Sequence, residues 1–391
     1  MAIKYSYGRQ SISEEDISAV IDTLRSDWLT QGPKVQQFER TLAKKFGAKH
    51  AVAVANGTAA LHVSALALGW QPGDIVITSP ITFLASANCI LYAGATPDFV
   101  DIDPKTYTID TNQLARKLQD YQNRGRSVKA VVGVDYAGQP CDWPGLRELA
   151  DQYGLQLVCD ACHALGAEIE NDQGYAAKYA DLVVLSFHPV KHITTGEGGA
   201  VLTNDSKLSA TLRMLSSHGM TKDGKMLEKN DGPWYYEMQS LGFNYRITDF
   251  QCALGLSQLG RLDDFVGRRR AIADFYDGQF QNLDGLTTPY VAPGVRHAYH
   301  LYPLVVDFRA AKLEKAALFS ALAERRISLQ VHYIPVHLQP YYRHNYGFRK
   351  GNFPVAEKFY EAEVSIPMYP DLTEFDLTYI SKQIRSCLYG E

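Results

Sequence analysis

The sequence predicts an α/β protein with a mainly parallel sheet flanked by helices, followed by a smaller α+β region. Short apolar runs alternate with helix-forming segments through the first two-thirds of the chain. The runs are four or five residues long, the length of buried strands. The last third changes character, with a long helix candidate and then mixed elements. Alternating strands and helices imply a parallel sheet with helices on both faces. Ligands of such sheets lie at the carboxyl ends of the strands.

Ala51 to Ala55 is the first strand, and Thr58 opens a helix running to Leu68 after the turn Asn56-Gly57. Ile75 to Thr78 is a strand that stops before Pro80. Ser86 to Tyr92 reads as helix and Thr96 to Val100 as strand. Ala130 to Val134 is a strand, with a helix near Gly145 to Tyr153 after it. Leu155 to Cys159 and Leu182 to Leu185 are further strands. Ile247 to Leu262 is a long helix candidate that continues through Arg268-Arg269-Arg270, a triple read as a solvated face. Leu301 to Val306, a helix near Leu313 to Arg325, and Ser328 to Val331 make up the smaller region. The expected boundaries are residues 1–260 for the large domain and 261–391 for the small one.

A chain of 391 residues with 46% hydrophobic residues can bury a large core. A net charge of -4 argues against nucleic-acid and membrane-surface partners. No apolar run approaches the ~18 residues needed to cross a bilayer. The opening M-A-I-K-Y-S-Y-G-R-Q lacks the apolar stretch of a signal peptide, so a cytoplasmic location is expected. The six cysteines do not read as a disulfide framework in a chain this long. Cys159-x-x-Cys162 lacks the second pair of a zinc site, and His332 with His337 lacks a third ligand, so no metal is expected. Gly219 to Lys225 imitates a P-loop, but Met226 stands where Ser or Thr must bind magnesium.

The chemistry centres on S-F-H-P-V-K-H-I-T-T-G-E-G-G, Ser186 to Gly199. Lys191 leaves a buried strand and precedes a glycine-rich turn. Burial there lowers a lysine pKa and supplies the neutral amine that forms a Schiff base. Taken alone, such a lysine is more often a surface residue. Thr58 could present free N–H groups to a phosphate or be an ordinary cap. Asp160, after its strand, could hold a pyridinium proton or cap a turn. His163 lies one turn further on. Phe83 could cover a planar ring or belong to the core.

Together N-G-T-A-A-L, T-F-L-A-S-A-N, D-A-C-H-A-L-G-A, the lysine segment and G-F-N-Y-R-I-T-D-F-Q resemble the sugar aminotransferases of the DegT/DnrJ/EryC1/StrS family. The resemblance runs from about Tyr7 to the region of Pro367. It implies the fold type I of pyridoxal 5'-phosphate (PLP) dependent transferases, with a seven-stranded sheet. It assigns Lys191 to the covalent link with the cofactor and Asp160 to its ring nitrogen. Phe83 would pack on the ring and His163 would sit near its phenolic oxygen. Gly57, Thr58, Ala59 and Ser186 would hold the phosphate, and Asn244 would reach the phosphate of a neighbouring subunit, making a homodimer. Tyr7, Asp27, Trp28, Leu29, Thr30, Gln330, Val331, His332 and Tyr333 would line the substrate pocket. This chain reads C-D-A-C-H where the commonest family pattern reads E-D-A-A-Q, so Asp160 lacks an acidic neighbour.

Within the family, W-L-T-Q-G, V-D-Y-A-G, S-H-G-M and L-Q-V-H-Y-I-P-V resemble members of the pseudaminic acid pathway. The implied substrates are a UDP-linked 4-keto-6-deoxy sugar and L-glutamate. Three alternatives remain at this stage: another keto-sugar nucleotide, a dehydratase of the same fold, or a cofactor-binding regulator. Dehydratases carry His in place of the lysine. A regulator would need a DNA-binding segment, and none is evident.

Overall fold

The computed structural model describes residues 3–390. Its centre is a seven-stranded sheet: β1 (His50–Val54), β2 (Ile75–Thr78), β3 (Thr96–Phe99), β4 (Ala130–Val134), β5 (Gln156–Asp160), β6 (Leu182–Ser186) and β7 (Gly199–Thr203). The spatial order is β1-β7-β6-β5-β4-β2-β3. β2 to β6 pair in parallel, and β7 runs antiparallel to both its neighbours. Six of these strands fall where the apolar runs place them. β7 was not expected, although Gly199-Ala-Val-Leu-Thr203 is itself a short run buried throughout.

Alternate residues of each strand feed opposite cores. Ala51 and Ala53 pack into one cluster with Val183 and Leu185, while Val52 and Val54 pack into the other with Leu182 and Val184. Both faces are covered there, which is why the interior positions of these strands are apolar on both sides. The helix α1 (Gly57–Ala67) follows β1, and α2 (Leu84–Tyr92) follows β2. α1 begins one residue earlier than expected. Its cap is Asn56, whose side chain accepts from the Ala59 N–H at 2.8 Å, so Thr58 is not the capping residue.

The long C-terminal helix is in fact two. α3 (Asp249–Gly260) and α4 (Leu262–Phe280) break at Arg261, whose backbone leaves the helical region. Both have reasons to form: Thr248 and Gln251 make a capping box at the start of α3. The solvated reading of the arginine triple fails at Arg269, which is fully buried. Its Nη1 donates to the carbonyls of Tyr299, His300 and Met368, so it ties α4 to two other segments of the chain.

Beyond α4, β8 (Leu286–Thr287), β9 (Tyr302–Val306) and β10 (Glu363–Ile366) form an antiparallel sheet with β9 central. The expected strand at Ser328 to Val331 is only a single bridge, Gln330 to Ser365. A third core joins this sheet to α4 and the last helix, Glu374–Tyr389, and includes Tyr5 from the N-terminal segment. Among the described residues, no helix is long and apolar enough to cross a membrane.

Candidate active site

A cavity of about 830 Å³ opens at the carboxyl ends of β4, β5 and β6. Asp160 is the last residue of β5 and Ser186 the last of β6, and both line it. Because β7 pairs antiparallel, its first residue, Gly199, lies at the same end, opposite Ser186 and Val54. A Cβ at Gly199 would come within 2.5 Å of the Asn56 carbonyl carbon. The bare backbone therefore lets the N-terminus of α1 sit against the sheet, beside Ser186.

The resulting wall suits a phosphate. The amides of Gly57 and Thr58 head α1, where no intrahelical acceptor exists, and the helix dipole adds partial positive charge. Ala59 lines the cavity too, but its N–H is already given to Asn56. The Ser186 hydroxyl accepts from the His188 N–H at 3.4 Å, leaving its own hydrogen for an oxyanion.

Asp160 is buried. Its Oδ2 accepts from Ser86 at 2.6 Å and its Oδ1 from the Cys162 N–H at 3.2 Å. Thr82 lies 2.7 Å from the Ser86 hydroxyl, so a short chain orients the carboxylate. Lys191 stands in the cavity within 3.5 Å of His300 Nε2. Burial lowers its pKa to about 8, against the pull of Cys162 and Asp160 and with help from the Arg269 charge. Phe83, the residue before α2, exposes 56% of its surface and lines the same cavity. A large aromatic left open beside a cavity is a ready face for a planar ring.

His163 is buried, and burial with the nearby Lys191 charge holds its pKa well below the usual histidine range. The Ala137 N–H donates to its Nδ1 at 3.3 Å. That assigns the single ring proton to Nε2, which donates to the Tyr333 oxygen at 3.1 Å. The Tyr333 hydroxyl hydrogen is then left for an acceptor in the cavity. Tyr7, Gln330, Val331 and His332 complete this side.

Two groups of expected residues are not in this cavity. Asp27, Trp28, Leu29 and Thr30 lie on the surface, held to the start of α3 by the Asp249 N–H to Leu29 carbonyl bond and a Thr30 to Thr248 bridge. Asn244 is exposed and bridges Ser217. Conversely, Ser86, His300 and Tyr245 line the cavity without having been singled out. Ser86 sits in the Phe83 segment and could have been found as a hydroxyl near Asp160. His300 carries no local signal, since it meets Lys191 from 109 residues away.

A helix end with free amides, a buried carboxylate, a lysine of lowered pKa and an open aromatic face together fit a pyridoxal-phosphate aminotransferase site on an α/β fold. The chain belongs to the DegT/DnrJ/EryC1/StrS aminotransferase family, which it matches over residues 10–385. It is a PLP-dependent sugar aminotransferase. It is 42% identical to the spore coat polysaccharide biosynthesis protein SpsC of Bacillus subtilis (strain 168), covering 98% of this chain and 97% of that one. It is 38% identical to the UDP-4-amino-4,6-dideoxy-N-acetyl-β-L-altrosamine transaminase of Campylobacter jejuni subsp. jejuni serotype O:2, again over 98% and 97%. Its fold superposes with a TM-score of 0.90 on Helicobacter pylori PseC, an aminotransferase involved in the biosynthesis of pseudoaminic acid, at 32% identity over 99% of this chain and 100% of that one.

Proposed function

We propose that the protein transfers the amino group of L-glutamate to C4 of UDP-2-acetamido-2,6-dideoxy-β-L-arabino-hexos-4-ulose. The products are 2-oxoglutarate and UDP-4-amino-4,6-dideoxy-N-acetyl-β-L-altrosamine, a step of pseudaminic acid biosynthesis. The observation that carries the reading is one cavity holding Lys191 and Asp160 and walled by Gln330 to Tyr333. The names of the Campylobacter and Helicobacter relatives support the choice of sugar.

Pyridoxal phosphate, when bound, supplies an electron sink for the charge left when the donor loses its α proton. Gly57, Thr58 and Ser186 would hold its phosphate, Asp160 its ring-nitrogen proton, and Phe83 one ring face. Lys191 would hold the cofactor and, as a neutral amine, would take the donor's α proton. It returns that proton one position along, and runs the same two steps in reverse for the sugar. Ser86 keeps Asp160 aimed into the cavity throughout.

The unit proposed is a homodimer with shared sites. Trp234 and Leu241 expose 71% and 77% of their surface, next to the exposed Asn244. Large apolar side chains left this exposed within one segment support an association surface there. Asn244 and Asp27 to Thr30 would then serve the partner's cavity. A second reading keeps the chemistry and changes the sugar, and the 42% identity to a spore coat polysaccharide protein favours it.

The test is an end-point reaction of purified protein with pyridoxal phosphate, L-glutamate and the UDP-4-keto sugar. Mass and proton couplings should show a 4-amino product of L-altro configuration. Loss of the cofactor's visible absorbance with glutamate alone, and no sugar product, would reject this sugar and keep the aminotransferase.

A further inference from the structure

His332 is buried at the cavity wall, and its Nδ1 lies 2.8 Å from the Ser365 oxygen. Ser365 in turn gives a short bond of 2.5 Å to Glu363 Oε1. The other carboxylate oxygen, Oε2, accepts the backbone N–H of His332 at 3.0 Å. Both Glu363 and Ser365 are fully buried. They sit on β10 with one residue between them, so their side chains share a face of the strand. The loop carrying His332 reaches that face through the Gln330 to Ser365 bridge.

The direction of this chain follows from which groups can donate. Burial raises the Glu363 pKa to about 7, so above pH 7 the group is a carboxylate that only accepts, and there Ser365 must spend its one hydrogen on Glu363. The Ser365 oxygen then has only lone pairs to offer Nδ1, and Nδ1 must carry the imidazole proton. Burial and the Lys191 charge keep His332 neutral, with its pKa lowered to about 3. A neutral ring with its proton on Nδ1 has a bare lone pair on Nε2. Among the described residues, Nε2 has no hydrogen-bond partner. The neighbouring Tyr333 offers the complementary group, a free O–H hydrogen.

Resting on the sugar-nucleotide reading above, we propose that Glu363 and Ser365 are positioning residues. They act through His332, holding its proton on Nδ1 so that Nε2 accepts a hydrogen bond from an O–H or N–H group of the keto-sugar nucleotide. The site then discriminates by polarity: a substrate must bring a donor to His332 and an acceptor to Tyr333. A ligand with the reverse pattern leaves two buried polar groups unpaired, which is the costly case. The amino donor does not need this pair, because it carries none of the sugar-nucleotide groups that the pair would recognise.

The experiment compares wild type with Ser365→Ala and Glu363→Gln, two variants so that a folding failure in one leaves the other. Nitrogen NMR of isotope-labelled histidine in the cofactor-free protein reads the His332 proton directly, its signal being assigned by loss in His332→Asn. Wild type should show Nδ1 protonated, and both variants a mixture of the two ring forms. In the holoenzyme, KM for the UDP-4-keto sugar should rise about tenfold, the worth of one buried hydrogen bond, while cofactor bleaching by glutamate keeps its rate. Nδ1 protonated alone in both variants, or an unchanged sugar KM, overturns the proposal. Wild type that bleaches but never aminates this sugar refutes the substrate reading instead, and the NMR comparison still decides the relay.

Discussion

Lys191 gives the sharpest quantitative expectation. An ordinary lysine titrates at 10.5, whereas burial among β6, His300 and Arg269 brings this one to about 8. The charged form is the one disfavoured, so the amine is neutral above pH 8 and protonated below. At pH 7 about a tenth of Lys191 is neutral, against roughly 3 parts in 10,000 for an unperturbed lysine, a gain of about 300-fold in reactive amine. The perturbation is pH, and the assay is capture of pyridoxal phosphate by cofactor-stripped protein, followed by visible absorbance. Capture by a small amine of ordinary lysine pKa, measured alongside, divides out the cofactor's own titrations. The ratio of protein to reference rates should be flat below pH 8, where both amines gain tenfold per unit. Above pH 8 it should fall tenfold per unit, because only the reference still gains. Lys191→Ala should fold, bind without covalent capture and show no turnover. A ratio that stays flat to pH 10 refutes the lowered pKa, and a fully active Lys191→Ala protein refutes the site.

Asp160→Ala should still take up the cofactor but slow donor bleaching about a hundredfold or more, since the ring-nitrogen proton loses its counter-charge; an unchanged rate would mean another carboxylate serves. Gly199→Ala should cost about 1–3 kcal/mol of stability in denaturant melts and weaken cofactor affinity, because its Cβ meets the Asn56 backbone at 2.5 Å and pushes α1 off the phosphate. Leu241→Asp should shift sedimentation from dimer toward monomer and lower turnover with it; a dimer of unchanged strength would place the interface elsewhere.

The central strands were readable because both faces of the sheet are buried there, which makes their runs almost wholly apolar. Lys191 and Asp160 were readable for a related reason. Asp160 ends one such run and Lys191 comes six residues after the end of another, both at the strand ends where ligands of such sheets bind. The Gly199 strand carried the same signal, but the glycine-rich turn before it reads as a loop and hid it. Arg269 was misread because a run of three arginines says nothing about the carbonyls that receive one of them. By itself the sequence determined the α/β plan and most strand positions, which follow from local hydrophobic pattern, while the lysine–carboxylate pair came from the resemblance of its motifs to the family. Only the tertiary structure decided that His300 faces Lys191, that the Tyr333 oxygen accepts a hydrogen bond from His163, and that Glu363 and Ser365 stand behind His332. Those contacts join segments up to 170 residues apart, and no local pattern encodes a distance between side chains that meet only after the chain has folded.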